Sequence, residues 1–164
     1  MVESRTDRPL YIEAKNGYVI MEKWELEERD LKRLLADPAK CTGCGVCEEV
    51  CSKAYYKEAD REKSAIRVSA SEQGGYAIAV CDQCGDCRGM CSMMSLMTAA
   101  NGVVRLDKKT CVGCLICVAE CLRGYMFVND GLPTPLKCVA CGLCAKQCPS
   151  GAISIVGEGG NQRG

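Results

Sequence analysis

The sequence of 164 residues contains no histidine, and it has only one Phe, one Trp and five Pro. The lack of histidine excludes Ser-His-Asp triads, histidine general acids, Rieske centres and His-ligated zinc sites. Leu, Ile, Val and Phe together account for 33 residues, which is few for a conventional apolar core. Small domains with so little to bury need disulfides or metals to hold them together. The composition therefore argues against an ordinary α/β enzyme with a large apolar interior.

Long apolar segments and nucleotide-binding motifs are also missing. The sequence has no 18-residue apolar run, no signal-peptide shape at its start, and no adjacent pair of arginines near Arg5 and Arg8. Neither a G-x-G-x-x-G nor a P-loop pattern occurs, and no basic run interleaves with aromatics as nucleic-acid binding would favour. These absences predict a soluble, cytoplasmic chain with no membrane span and no nucleic-acid partner. Export alongside a partner that carries the signal is the alternative.

Cysteine is the residue that the sequence has in excess. Its sixteen cysteines fall into four groups of identical C-x2-C-x2-C-x3-C spacing, and no cysteine lies outside them. The groups are motif 1 (Cys41, Cys44, Cys47, Cys51), motif 2 (Cys81, Cys84, Cys87, Cys91), motif 3 (Cys111, Cys114, Cys117, Cys121) and motif 4 (Cys138, Cys141, Cys144, Cys148). This spacing is typical of bacterial ferredoxin loops that hold [4Fe-4S] clusters.

The spacing suits a cubic cluster for a geometric reason. Three cysteines within seven residues allow one loop to reach three corners of a cube. Small residues such as Gly43, Gly45, Gly85, Gly113 and Gly142 let the backbone curl closely and direct its amides at sulfur. The fourth cysteine follows one helical turn later, so we expect it to begin a helix and to point toward a second cluster. Sixteen cysteines predict four clusters.

Two other uses of the cysteines fit the pattern less well. Zinc sites favour two C-x2-C pairs separated by a longer spacer, and disulfides between such close neighbours would compete for the same partners. Catalytic metal sites keep an open coordination position, whereas four thiolates per cluster occupy every iron. The sequence therefore predicts electron transfer, with no catalytic residue in this chain.

The chain divides into three predicted segments. Residues 1–37 form an N-terminal arm for partner docking, in which strands 11–14 and 18–21 flank an Asn16-Gly17 turn. Residues 38–157 form the cluster body, and residues 158–164 a flexible tail. Strands are predicted at 64–69, 76–80, 102–107 and 152–156. Short strands and short helices alternate with cysteine loops, which predicts an α+β, ferredoxin-like fold.

Four methionines surround the last cysteine of motif 2. Met90, Met93, Met94 and Met97 have helical spacing, which favours flexible core filling. A docking surface is the alternative, because methionine also serves at adaptable binding surfaces.

The chain resembles the four-cluster, ferredoxin-type electron-transfer subunits of anaerobic oxidoreductases over residues 31–157. Within that range, residues 37–52 and 64–68 are most similar to the small iron-sulfur subunit of tungsten-pterin aldehyde oxidoreductases. Similar subunits serve carbon monoxide dehydrogenases, formate dehydrogenases and hydrogenases. Only Cys148 is followed by proline; Ser52, Ser92 and Leu122 take that position in the other motifs.

The resemblance implies two nested dicluster modules, with motif 1 paired to motif 4 and motif 2 to motif 3. The implied ligand sets are Cys41, Cys44, Cys47 and Cys148 for cluster 1; Cys138, Cys141, Cys144 and Cys51 for cluster 2; Cys81, Cys84, Cys87 and Cys121 for cluster 3; and Cys111, Cys114, Cys117 and Cys91 for cluster 4. Sequential pairing of motif 1 with motif 2 is the alternative.

The resemblance also implies a role. We expect a non-catalytic subunit that relays electrons through four [4Fe-4S] clusters. Its partners would be a catalytic subunit of the tungsten- or molybdenum-pterin type and an external redox partner such as a flavin subunit or a ferredoxin. A free-standing polyferredoxin shuttle and a structural iron-sulfur protein are the alternatives.

Overall fold

The computed structural model describes residues 10–14, 17–21 and 31–157. By compactness the chain separates into two units, Met1–Asp30 and Leu31–Gly164. In the first unit, β1 (Leu10–Ala14) pairs antiparallel with β2 (Gly17–Met21). A hairpin therefore lies where the sequence predicts one, although Gly17 opens the second strand. Asn16 and the predicted tail at 158–164 lie outside the described residues.

The second unit combines short helices with short strands. Its strands are β3 (Arg33–Ala36), β4 (Ile66–Ala70), β5 (Tyr76–Val80), β6 (Leu96–Thr98), β7 (Val104–Leu106) and β8 (Ile153–Val156). Its α-helices are α1 (Val46–Tyr56), α2 (Asp86–Gly89), α3 (Ile116–Ala119) and α4 (Leu143–Gln147), and 3-10 turns occupy Pro38–Lys40 and Arg61–Lys63. This mixture of small helices and two-stranded sheets agrees with the α+β class predicted from the sequence.

The strands pair as separate antiparallel hairpins and ribbons. β3 pairs with β8, with Arg33 opposite Val156, so both ends of the unit meet in one ribbon. β4 pairs with β5 across the glycine pair Gly74–Gly75, and β6 pairs with β7. Because β3 belongs to this ribbon, the compact unit includes residues of the predicted 1–37 arm. The four predicted strands of the body all occur, each within a few residues of its expected bounds.

Two apolar cores hold the second unit together. The larger core combines Leu34, Ile66, Val80, Leu136 and Ile153 with buried cysteines of motifs 1, 2 and 4, namely Cys47, Cys81, Cys138 and Cys144. The smaller core packs three apolar side chains, Leu96, Val104 and Met126, around Cys117 of motif 3. Cysteine is therefore part of both cores, so the same buried residues that stabilise the fold include predicted cluster ligands.

The methionines near motif 2 are not core filler, contrary to the interpretation that their spacing favours. α2 ends at Gly89, so these methionines do not share a helix face. Their exposed fractions are 45% for Met90, 50% for Met93, 80% for Met94 and 58% for Met97. The helical spacing of the methionines gives the wrong prediction because the helix of motif 2 ends after one turn, at Gly89.

Candidate metal centre

The four cysteine loops share one backbone conformation. In each loop, the residues directly before and after the second cysteine have positive φ; these pairs are Gly43 and Gly45, Gln83 and Gly85, Gly113 and Leu115, and Ala140 and Gly142. A left-handed conformation is costly for Gln83, Leu115 and Ala140, so it persists only where the surrounding structure imposes it. Left-handed residues at such turns direct successive amides into an anion-binding concavity. The loops are therefore shaped to surround a negatively charged group.

Each short helix begins one residue before the third cysteine of its motif, at Val46, Asp86, Ile116 and Leu143. The prediction that the fourth cysteine begins the helix is therefore wrong. The left-handed residue after the second cysteine occupies the N-cap and turns the chain into the helix earlier. The fourth cysteine then lies within α1 at Cys51 and just after α2, α3 and α4 at Cys91, Cys121 and Cys148.

Two cavities bring together cysteines from different motifs. One cavity is lined by four cysteines, Cys51, Cys138, Cys141 and Cys144, with Leu34, Tyr55 and Ile66 among the apolar neighbours. The other is lined by Cys91, Cys111, Cys114 and Cys117, with methionines and Pro135 beside them. Each cavity thus joins three cysteines of one motif to the fourth cysteine of another. Within residues 31–157, no three such side chains converge closely enough to hold a single metal ion.

The cysteines around the first cavity interact electrostatically. The pKa of the Cys144 thiol is raised to about 12, first by burial and then by the nearby thiols of Cys138, Cys51, Cys141 and Cys47. Cys138, Cys51 and Cys141 line the same cavity as Cys144. Cys47 does not line it, and it belongs to motif 1, as Cys51 does. Motifs 1 and 4 are therefore close enough for their thiolates to repel one another.

The pKa of the Cys47 thiol is raised to about 11 by burial, then by Glu48, and then by Cys148 and Cys44. Cys148 is the last cysteine of motif 4. A cysteine of motif 4 therefore acts electrostatically on motif 1, as Cys51 of motif 1 acts on Cys144 of motif 4.

The thiols of motifs 2 and 3 also interact electrostatically. Burial raises the pKa of Cys117, and Cys111, Cys91 and Cys114 add to the increase. Burial also raises the pKa of Cys87; Lys137 opposes this shift, while the thiols of Cys81, Cys117 and Cys121 add to it.

The fourth cysteine of each motif has a hydrogen-bonding group close to its sulfur. The amides of Ala65, Ser95 and Tyr125 donate to the sulfurs of Cys51 (3.4 Å), Cys91 (3.3 Å) and Cys121 (3.3 Å), and the Ser150 hydroxyl lies 3.6 Å from the sulfur of Cys148. Hydrogen bonds to a thiolate stabilise its negative charge and tune the metal it binds. The donor set of four thiols with amide support therefore fits an iron-sulfur cluster.

Exposure differs along each motif. The second cysteine is exposed in all four motifs, and the third is buried in motifs 1, 3 and 4. The first cysteine is buried only in motifs 2 and 4, as Cys81 and Cys138. These two first cysteines therefore face the interior of the unit.

Sequence reasoning missed the polar groups between Cys81 and Cys138. The Lys137 ammonium donates to the Cys81 sulfur (3.2 Å), to Oε1 of Gln83 (3.1 Å) and to the Cys138 carbonyl (3.4 Å). Gln83 Nε2 donates to the same carbonyl at 2.9 Å, and Gln83 Oε1 accepts from the amide of Val104 at 3.0 Å. Only the position of Lys137 next to a motif cysteine could have indicated this role.

Charged side chains surround motif 1 on the outside. The Arg61 guanidinium donates to the Cys44 carbonyl at 3.2 Å and forms an ion pair with Glu49 at 2.9 Å. Lys40, directly before Cys41, pairs with Asp37 at 3.0 Å. The surface at this motif is therefore polar, in contrast to the methionine-rich surface at motif 2.

In the cluster-free chain, we expect Cys138 and Cys144 to react with iodoacetamide at least about tenfold more slowly at pH 8 than the exposed Cys44 and Cys114. Thiolate is the reactive form, and burial raises the pKa of Cys138 and Cys144 to about 12. The difference should narrow as the pH approaches 12, since the buried thiols then ionise. Peptide mapping by mass spectrometry measures the four rates, and equal rates at pH 8 would contradict this prediction.

Comparison with known proteins agrees with the donor set. Residues 35–52 and 134–154 match the family model described as a 4Fe-4S binding domain. These segments contain all the cysteines of motifs 1 and 4. The chain thus carries ferredoxin-like 4Fe-4S binding segments, and its cofactors are [4Fe-4S] clusters.

Three curated proteins are similar to this chain. It is 32% identical to the beta subunit of NADH-dependent phenylglyoxylate dehydrogenase from Aromatoleum evansii, over 73% of this chain and 29% of that protein. It is 25% identical to the thiosulfate reductase electron transfer subunit of Salmonella typhi, over 74% and 73% of the two chains. It is 27% identical to a tetrathionate reductase subunit of Salmonella typhimurium, over 84% and 62%. The chain therefore spans less than a third of the dehydrogenase subunit.

Among solved structures, the chain is similar to a chain of the active-site complex BamBC of benzoyl-coenzyme A reductase. The identity is 24%, the TM-score is 0.46, and the match covers 82% of this chain and 84% of that chain. No helix among the described residues has the length and apolar content to cross a membrane.

Proposed function

We propose that this chain is the electron-transfer subunit of an oxidoreductase complex and relays electrons through four [4Fe-4S] clusters. The observation that carries the proposal is the pair of cavities in which three cysteines of one motif meet the fourth cysteine of another. Each cavity offers four thiols, enough to occupy every iron of a cluster. The relatives of the chain, among them an electron transfer subunit of thiosulfate reductase, support the same role.

The proposed ligand sets follow the nested pairing. Cys51, Cys138, Cys141 and Cys144 hold cluster 2, and Cys91, Cys111, Cys114 and Cys117 hold cluster 4, as the cavity linings support. Cys41, Cys44, Cys47 and Cys148 hold cluster 1, and Cys81, Cys84, Cys87 and Cys121 hold cluster 3, as the thiol interactions of Cys47 and Cys87 support.

We further propose that the clusters follow one another in a single line. The electrostatic interaction between the thiols of Cys144 and Cys47 links clusters 2 and 1. The electrostatic interaction between the thiols of Cys138 and Cys81 links clusters 2 and 3. The interaction of Cys87 with Cys117 links clusters 3 and 4. Clusters 1 and 4 are then the two ends of the line.

When bound, the clusters supply one-electron transfer. The residues of the chain hold each cluster with four thiolates, which leaves no open iron position for a substrate. Backbone amides stabilise the thiolates, and the apolar cores keep water from the inner ligands Cys81 and Cys138. The proposed subunit is therefore not catalytic by itself.

The catalytic subunit is proposed to bind at the cluster 4 end. Met90, Met93, Val112, Leu115 and Ile116 line an uncharged groove beside the cysteines of that cluster. Each of these side chains is at least 40% exposed. Permanent interfaces are more apolar than transient ones, so the groove fits a stable partner. We propose a tungsten- or molybdenum-pterin enzyme of the aldehyde oxidoreductase type.

The external redox partner is proposed to bind at the cluster 1 end. Arg61, Glu49, Lys40 and Asp37 make that surface charged. Charged surfaces accelerate transient encounters and give them specificity, as a flavin subunit or a soluble ferredoxin requires.

The substitution Met90→Lys tests the subunit role in the native host. It places a charge in the groove, so we expect the variant to lose its catalytic partner during purification while keeping about sixteen iron atoms. Leu35→Lys is the matched control, because Leu35 is exposed to a similar extent (44% against 45%) on β3 and outside the groove. The control should retain the partner. If the unaltered chain purifies as a 17.7 kDa monomer with no oxidoreductase, the subunit role is wrong and a free shuttle is favoured.

A further inference from the structure

A buried lysine lies between the two halves of the cluster body. Lys137 is 7% exposed, and the groups around it are equally enclosed: Cys81 and Cys138 are each 7% exposed and Gln83 is 4% exposed. Its ammonium donates to the Cys81 sulfur at 3.2 Å. Cys81 belongs to motif 2 and Cys138 to motif 4, so this one cation contacts both modules.

The surroundings of Lys137 are unusual for a lysine. Lysine is almost never buried unless it is paired, yet among residues 31–157 no carboxylate lies within ion-pair distance of its ammonium. Its partners are a cysteine sulfur, an amide oxygen and a backbone carbonyl. Of these partners, only the Cys81 sulfur carries a negative charge when it ligates iron.

We propose that Lys137 raises the reduction potential of cluster 3, the cluster held by Cys81, Cys84, Cys87 and Cys121. This inference rests on the ligand sets proposed above. Reduction adds a negative charge, which a neighbouring cation stabilises, and burial strengthens the effect because little water screens it. A hydrogen bond to a ligating sulfur acts in the same direction. The Lys137 charge also reaches Cys87, a second ligand of this cluster.

Gln83 positions this lysine. Its Oε1 accepts from Lys137 at 3.1 Å and from the Val104 amide at 3.0 Å, while its Nε2 donates to the Cys138 carbonyl at 2.9 Å. Every polar group of the Gln83 side chain is thus engaged, and the ammonium is fixed toward Cys81. The cation therefore acts where an electron passes between clusters 2 and 3.

The proposal is tested with the Lys137→Met variant of the four-cluster protein. Its clusters are titrated against redox potential, and electron paramagnetic resonance monitors their reduction. We expect one cluster to become harder to reduce, with its reduction equilibrium constant lowered about tenfold or more, a shift of about 59 mV for a one-electron couple. That cluster is identified as the one whose signal changes in Cys81→Ser. Arg88→Met is the matched control, because it removes an exposed cation within motif 2, and it should change the constant by less than about threefold.

An unshifted cluster 3 in an iron-replete Lys137→Met protein would overturn the proposal. If that variant loses iron, Lys137→Gln decides instead, since it removes the charge and keeps a hydrogen-bond donor beside the Cys81 sulfur. We expect the potential of the same cluster to fall in Lys137→Gln, and an unchanged potential would again overturn the proposal. Lack of clusters in the unaltered protein would instead refute the proposed function.

Discussion

Replacing Cys51 and Cys138 together with alanine is expected to disrupt one cluster, whereas replacing Cys51 and Cys81 together is expected to disrupt two. The reason is the proposed nested pairing, in which Cys51 and Cys138 both belong to cluster 2 while Cys81 belongs to cluster 3. The first double variant should lose about four of about sixteen iron atoms. The second should leave two clusters with three thiolates each. Iron analysis and integrated resonance signals of the reduced protein measure both results.

The two double variants also distinguish the pairing schemes. If motif 1 paired with motif 2, Cys51 would share a cluster with Cys81, and the two results would be exchanged. Replacing Cys91 and Cys111 together with alanine provides the matching test for motifs 2 and 3, because both cysteines line the second cavity. Nested pairing predicts one disrupted cluster for that pair as well. Two disrupted clusters in either same-cavity pair would refute the proposed ligand sets.

The cysteine loops and the body strands were predictable from the sequence because both depend on local patterns. The motif spacing fixes which cysteines share a loop, and a short apolar run after the Gly74–Gly75 pair predicts the strand Tyr76–Val80. Loop conformation was predictable at the glycines, where a positive φ is expected. It was not predictable at Gln83, Leu115 and Ala140, since their left-handed conformations depend on the surrounding fold.

Contacts across the chain were harder to predict. Lys137 and Cys81 are 56 residues apart, and no local pattern relates them. The exposure of the methionines depends on where α2 ends, which the motif determines and the helical period does not. The sequence thus predicts the ligands, whereas the charge that distinguishes one cluster from the others emerges only from the fold.

The absence of cluster 2 is also expected to stop electron flow through the complete complex. In the proposed line, cluster 2 lies between cluster 1 and cluster 3, so its loss leaves a gap across which tunnelling falls exponentially with distance. A complex that carries Cys51→Ala with Cys138→Ala should therefore oxidise its substrate with a small dye at the catalytic subunit but should no longer reduce the external protein acceptor. Both rates are measured by absorbance under anaerobic conditions.

The dye reaction separates a broken relay from a damaged enzyme, since the dye takes electrons before they enter this chain. Leu35→Lys is the control for the effect of a substitution as such, because it alters the surface of the same unit without removing a cluster ligand. It should preserve both reactions. Acceptor reduction at the unaltered rate in the complex that lacks cluster 2 would mean that electrons bypass it. In that case the clusters would not form a single line, and this chain would not be the obligatory path between the two partners.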